Sequence, residues 1–348
     1  MVGVRGGQSD LEDIESRGGE SEYDGEGSVP RDSGHSQPIP IPVPRGMSTT
    51  VFKAALPLLD AVDLEMEFQH RAHVFKSVPW IMKGPVRTAY RFALSTILEA
   101  TQTRDVELET RAFKAFFMIS RLLLFKPAGV QQVPPAELAR RIQLFSCGQW
   151  EDLLRESRIV IPRRNTKRAN VDEHRALRAE ALVALGELSA ARQALEAAEI
   201  APGTDETFRI LSDADRRPAS LRDLLPAAVQ NFVPDEVFVL DYNRFVANLR
   251  GARKGAAASP SGVTADHLKI LLDEEDTTEL LYKVGQKFAA GGVPGVIVKA
   301  LRVGRMTALQ KPDGGVRGIV AGDVFRRLVS RTMAKQLAQE IQKATSPF

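Results

Sequence analysis

A single cysteine, Cys147, in 348 residues excludes an internal disulfide and any zinc site built from several thiolates. That agrees with a reducing, intracellular setting, nuclear or cytoplasmic, and predicts Cys147 as a small buried apolar residue. Long apolar runs are equally scarce. The most apolar stretch, residues 116–125, is interrupted by Arg121 and is too short to span a bilayer, so no membrane partner is expected. The first thirty residues are acidic and lack the apolar segment of a signal peptide. No P-loop, no Gly-x-Ser-x-Gly, no dinucleotide fingerprint and no zinc-ligand series occurs. His70 and His73 stand three apart, as two metal ligands on one helix would, but no third ligand supports them and no metal site is expected. The acidic run 273–276 lacks the glycine and spaced oxygens of a calcium loop, and is expected to cap the helix after it. Net charge is only +3, which by itself selects no partner.

What the chain does have is an ordinary globular composition, 43% hydrophobic and 26% charged, with length for two or three domains. Its charge is unevenly placed. Residues 1–50 carry nine acids against four arginines, whereas 299–335 carry nine cations against Asp313 and Asp323. That asymmetry suits a nucleic-acid contact near the C-terminal end. Residues 1–48 read as a disordered acidic and proline-rich tail. Their run Pro38-Ile39-Pro40-Ile41-Pro42-Val43-Pro44 reads as polyproline II, either a plain linker or a ligand for a polyproline-binding partner.

Helical periodicity dominates 49–215, and 216–254 reads as a linker with one connecting helix. A basic cluster centred on 163–168 fits a nucleic-acid contact, a nuclear-import signal or a solvated loop. Residues 172–200 predict a helical hairpin turning at Gly186, lined by Leu177, Ala181, Leu182 and Leu185 and by Ala191, Leu195 and Ala198. This hairpin resembles one tetratricopeptide unit, and a helical protein-interaction scaffold is the alternative reading of the chain. No second copy at the family's period occurs.

The strongest local signal lies in 305–341. Two short apolar runs flank Pro312-Asp313-Gly314-Gly315, a turn whose glycines are free to take positive φ. A β-hairpin is predicted, with Lys311 and Arg317 beside its tip. Asp323 stands at an N-cap position, and the helix after it carries apolar residues at Val324, Leu328, Met333, Leu337 and Ile341. Arg327 and Arg331 share one face of that helix. Such a device can grip phosphates, or it can be a solvated hairpin whose charges only keep it in solution.

The stretch 309–319 followed by Phe325-Arg326-Arg327-Leu328-Val329 resembles the fingers hairpin and next helix of non-LTR retrotransposon reverse transcriptases. Gly318 stands where that family usually has proline. Upstream, Ser259-Pro260-Ser261-Gly262-Val263-Thr264-Ala265-Asp266-His267-Leu268 resembles the proline-glycine segment that precedes the family's fingers. The resemblance covers about 255–348 and implies a mainly α protein: a helical N-terminal array, then a partial α+β fingers subdomain with one β-hairpin. It implies that Lys311 and Arg317 contact the triphosphate of an incoming nucleotide. Arg302, Arg305, Arg326, Arg327 and Arg331 become candidates for contacts with an RNA or DNA template-primer. The family's paired palm aspartates are missing from these residues. The expectation is therefore a truncated RNA-directed DNA polymerase, inactive and weakly binding alone. It is expected to need no cofactor, since magnesium belongs to the complete enzyme. The apolar side of the 324–341 helix, which would pack under a palm, is expected to lack a cover.

Overall fold

The computed structural model describes residues 47–127, 132–159, 171–196, 198–213, 226–227, 231, 236–256 and 258–345. The tail expected over 1–48, save its last two residues, lies outside them, as do the centre of the 163–168 cluster and most of the 216–254 linker. The described residues belong to one compact unit, Ile41–Phe348. It is mainly helical, 65% of the chain, with a single two-stranded antiparallel sheet among the described residues.

The first helices follow their local signals. Ser48 caps α1 (Thr49–Ala55), Pro57 diverts the chain into a 3₁₀ turn (Leu56–Ala61), and Asp63 accepts from Glu65 and Met66 at the start of α2 (Leu64–Gln69). Helix α2 stops at Gln69, so His70 and His73 do not share the helical face that a two-histidine ligand pair requires. Among the described residues no three of His, Cys, Asp or Glu gather as a metal site would need.

Two long helices make the centre, α3 (Lys83–Thr103) and α4 (Val106–Leu123). Arg104 turns between them at φ 58°, and Asp105 then caps α4 by accepting from Leu108 N at 2.9 Å. Val86, Tyr90, Ala93 and Ile97 form a buried stripe on α3 at helical spacing. Facing it, α4 buries Phe113, Phe116, Phe117 and Leu123. Helices α5 (Pro135–Ser146) and α6 (Trp150–Ser157) close one side, where Trp150 stacks on Phe145 with ring centroids 4.9 Å apart. Cys147, expected inside, is exposed, because it is the residue that ends α5.

Next come α7 (Val171–Val183) and α8 (Leu188–Leu195), the expected helical hairpin, turning at Gly186 with φ +75°. Its lining differs from the expectation. Leu177, Leu185 and Leu195 are exposed, and a separate small cluster of Ala179, Leu182, Ala190, Ala191 and Ala194 holds the pair together. The short α9 (Asp205–Ser212) follows.

The C-terminal part contains α10 (Tyr242–Arg250), α11 (Ala265–Lys269), α12 (Glu275–Ala289) and α13 (Gly295–Leu301). Strands β1 (Arg305–Gln310) and β2 (Val316–Ala321) precede α14 (Val324–Gln336) and α15 (Ala338–Thr345). One buried apolar cluster runs from Phe52 to Val329, so α10–α14 share a core with α1–α6. The apolar face of α14 is therefore covered, contrary to expectation. Phe325 packs edge-on against Phe116 (5.2 Å) and Phe117 (6.3 Å) of α4 and Phe288 (5.7 Å) of α12. Helix α15 buries none of its residues. The helix expected to run on to Ile341 breaks at Leu337.

The acidic run 273–276 starts α12 as expected: Glu274 takes the N-cap position without a side-chain cap bond, and Asp276 accepts from Thr277 N at 2.7 Å in the first turn. Asp273 and Glu274 pair with Arg87 at 3.2 and 2.9 Å, while Glu274 and Asp276 pair with Arg91, tying α3 to the start of α12.

Candidate nucleic-acid interface

The hairpin forms where predicted, in the register Arg305↔Ala321 through Gln310↔Val316. Gly314 takes φ +80°, Lys311 N donates to Gly315 O at 2.8 Å, and Asp313 accepts from Gly315 N at 2.9 Å. The outer edge of β1 is also used: Ala201 N donates to Ala308 O at 3.0 Å, and Gln310 N to Glu199 O at 2.8 Å. Ala308 thus turns its backbone groups away from β2, making Ala308–Gly318 a non-hydrogen-bonded pair. A proline at 318 would break no ladder bond. Gly318 instead admits α9, since a Cβ there would lie 3.2 Å from Leu211 Cδ2 and 3.0 Å from Met306 Sδ.

The seven nominated cations do not form one patch. Lys311 and Arg317 are exposed at and beside the tip, and Arg302 is exposed at the end of α13. Arg326 turns back to donate to Leu301 O at 3.0 Å. Arg305 is partly buried near Arg71, and burial first, then the Arg71 charge, holds its guanidinium below the usual arginine range. Arg327 and Arg331 do come together, on one wall of a groove of about 420 Å³. Its opposite wall carries Arg253, from the basic crossing 251–256 that follows α10. Leu249, Leu268, Val324 and Leu328 contribute the apolar floor. Among the described residues none of the three arginines has an ion-pair partner.

The crossing that carries Arg253 is tethered rather than loose. Lys269 Nζ donates to Ala252 O, Gly255 N to Asp266 Oδ2 at 2.9 Å, and Lys254 N to Glu187 Oε1 at 3.2 Å. Gly255 is needed here at φ +64°, where a Cβ would lie 2.6 Å from Leu185 Cδ1.

The 259–264 loop holds the groove to the central helices. From one side, Arg121 of α4 donates through Nε to Ser261 O (3.1 Å), and its Nη2 reaches Pro260 O (2.7 Å), Glu67 O (2.7 Å) and His70 O (2.9 Å). From the other, buried Asp323 caps α14 through Oδ1, accepting from Phe325 N at 2.8 Å, and its Oδ2 accepts from Ser261 Oγ. Ser259 Oγ lies 3.0 Å from the same oxygen and 2.8 Å from Val263 O, sharing one proton between them. The two stretches that carry the resemblance are thus joined through a single carboxylate.

Further along the loop, Thr264 and His267 form a capping box for α11. Buried His267 receives Thr264 N–H on Nδ1 at 3.2 Å and gives its Nε2 proton to Phe75 O at 2.7 Å. Ser120 Oγ lies 2.9 Å from Nδ1, and Tyr90 Oη 3.0 Å from Ser120. With Nε2 protonated, Nδ1 must accept, so the proton order runs Tyr90 to Ser120 to His267. Burial, opposed in part by the Phe75 carbonyl, pushes the imidazole down to about 4. Unfolded histidine titrates near 6.5. Between those values the unfolded chain binds a proton that the folded chain refuses, so stability falls as pH drops from about 6.5 to 4, by about 3 kcal/mol. Urea unfolding at pH 7 and pH 4.5 should display that loss, and His267→Gln should flatten it. An unchanged slope in the variant would assign the loss to other groups.

Tyr90 is raised well above the ordinary phenol range, chiefly by burial. No helix among the described residues is long and apolar enough to cross a membrane. Comparison with family models, with curated proteins and with solved structures gives no match to this chain.

Proposed function

We propose that this chain is part of a non-LTR retrotransposon reverse transcriptase. In this reading 255–348 supplies the beginning of the fingers and a sequence-independent grip on nucleic acid. The observation that carries the reading is the groove between α10, α11 and α14. Three arginines with no acidic partner among the described residues line an apolar floor, and both stretches that resemble the family contribute to its walls. Guanidinium groups neutralise strand phosphates, and the apolar floor suits sugar or base surface. Lys311 and Arg317, exposed at the hairpin end, are the residues this reading assigns to the triphosphate of an incoming nucleotide. Arg302 is exposed, whereas Arg305 and Arg326 fit it less well as direct contacts, since each spends a donor on a backbone carbonyl. Magnesium would be held by palm carboxylates, and the paired-aspartate motif that carries them is absent from this sequence.

The expected behaviour is binding to an RNA–DNA duplex with a Kd in about the micromolar range or weaker, without sequence preference. Three phosphate contacts predict a slope of log K against log salt of about −3, and Arg327→Ala/Arg331→Ala should reduce its magnitude by about 2. Fluorescence anisotropy at several salt concentrations measures both. Equal affinity and equal slope in parent and variant would remove the groove from the binding surface.

A further inference from the structure

A second cleft, of about 330 Å³, lies where the C-terminal ends of α2, α4 and α6 meet. It shares no lining residue with the Arg253–Arg327–Arg331 groove, and its chemistry stands apart from the reverse-transcriptase reading. Helix C-termini present carbonyl oxygens, so cations there are first expected to satisfy backbone. Arg121 does so, consuming Glu67 O and His70 O, while His73 O is taken by Lys126 N at 2.7 Å.

The remaining charges are out of balance. The cleft's two carboxylates are already engaged: Glu67 pairs with Arg158 and faces Arg121 at 3.9 Å, and Glu156 pairs with Arg140 at 2.5 Å. Arg71 and Lys126 also line the cleft, and neither has an acidic partner among the described residues. Lys126 Nζ lies 5.9 Å from the centre of the Phe75 ring. His70 and His73 line the wall too. Like charges act on one another here. Arg71 bears on Arg305, while Arg305 and Arg158 bear on Arg121, whose guanidinium is pushed down to about 10, chiefly by burial. The rest of the wall, including Phe125 and Ile159, is apolar. A concave site of this volume, apolar over much of its lining with a few convergent charges, has the character of a small-molecule pocket.

We propose that this cleft binds an organic phosphate monoester. Its dianionic phosphate sits between Arg71 and Lys126, and its organic part lies against Phe125 and Ile159. A phosphate supplies the negative charge that the carboxylates of the site do not, and its oxygens accept from both cations at once. Such a group can arrive on a free nucleotide or at the 5′ end of a nucleic-acid strand.

The probes are AMP, adenosine, inorganic phosphate and a short RNA with or without a 5′ phosphate, each titrated by isothermal calorimetry at constant ionic strength. AMP should bind saturably and at least about tenfold tighter than inorganic phosphate, while adenosine should not register. Arg71→Gln/Lys126→Gln should weaken AMP by about tenfold or more, the loss expected for charge-assisted hydrogen bonds. Arg327→Ala/Arg331→Ala should leave AMP binding unchanged. Both lining cations are near the surface, and circular dichroism checks the double variant; if it does not fold, Arg71→Gln alone is used. A 5′ phosphate that strengthens RNA binding in the parent, but not in the Arg71 variant, assigns the site to strand ends. Binding by AMP with no gain from the 5′ phosphate assigns it to free nucleotides. Absence of an AMP signal overturns the proposal, as does one equal for adenosine or one that survives loss of Arg71 and Lys126.

Discussion

Arg121→Met should cost about 4–5 kcal/mol, the largest single loss expected in this molecule and a large part of a typical folding free energy. The residue is 6% exposed, set among the apolar side chains of the core. Methionine would fill much of its volume and remove a buried charge, which alone could be neutral or favourable. The cost comes from the acceptors left behind. Glu67 O, His70 O, Pro260 O and Ser261 O all lie within hydrogen-bond distance of this one guanidinium. Each buried carbonyl left without a donor costs roughly 1–3 kcal/mol unless water reaches it. Arg121→Lys keeps the charge but offers no planar fork, so it should recover only about half. Guanidinium chloride unfolding followed by circular dichroism reads both values. A methionine variant within about 1 kcal/mol of the parent would show that these carbonyls find water instead. Amide exchange should report the damage at the end of α2 and in 259–264, the segments that Arg121 ties together.

Arg121 also marks the limit of what local pattern encodes. In the sequence it is an interruption in an apolar run, because helical periodicity places a residue on a face but not against a partner 140 positions away. Features decided within a few residues were legible. The turn with Gly314, the Asp323 cap, the Gly186 hairpin and the break near Pro57 all depend on local backbone preference. Features decided by tertiary contact were not. The acidic run 273–276 read as a cap and does start α12, but its carboxylates also reach Arg87 and Arg91 on α3, pairings that leave no local trace. Leu177 and Leu195 fitted an amphipathic pattern, yet the α7–α8 contact uses alanines, which let the helices approach closely.

The candidate groove was legible in the same uneven way. Arg327 and Arg331 are four apart on one helix, so their shared face followed from spacing alone. Arg253 comes to the same groove only because Asp266, Lys269 and Glu187 tether the 252–255 crossing, and none of those pairings leaves a periodic trace. His267 had one available signal. Thr264 with a hydrogen-bonding residue three positions on is the capping-box spacing, with histidine in place of the usual glutamate or glutamine.

Asp323→Ala should cost about 3 kcal/mol, and its two oxygens allow that loss to be divided. Oδ1 caps α14 by accepting from Phe325 N, a contribution of about 1 kcal/mol. Oδ2 holds the 259–264 loop through Ser261, with Ser259 alongside, and hydrogen bonds to a buried carboxylate contribute about 1.5–3 kcal/mol. Asp323→Ser keeps a capping hydroxyl but cannot reach the loop, so it should lose about 2 kcal/mol. Ser261→Ala removes the same contact from the other side. Combined with Asp323→Ser it should add little, a coupling of about 1 kcal/mol or more in a double-mutant cycle. The loop leads into Ala265 and Leu268 on the groove wall, whereas α14 contributes Arg327 and Arg331. Under the proposed function, losing the latch should also weaken nucleic-acid binding while leaving every groove arginine in place. Additive losses from Asp323→Ser and Ser261→Ala would mean that the carboxylate and the loop hydroxyl act separately. The two stretches would then be neighbours in the fold without being coupled.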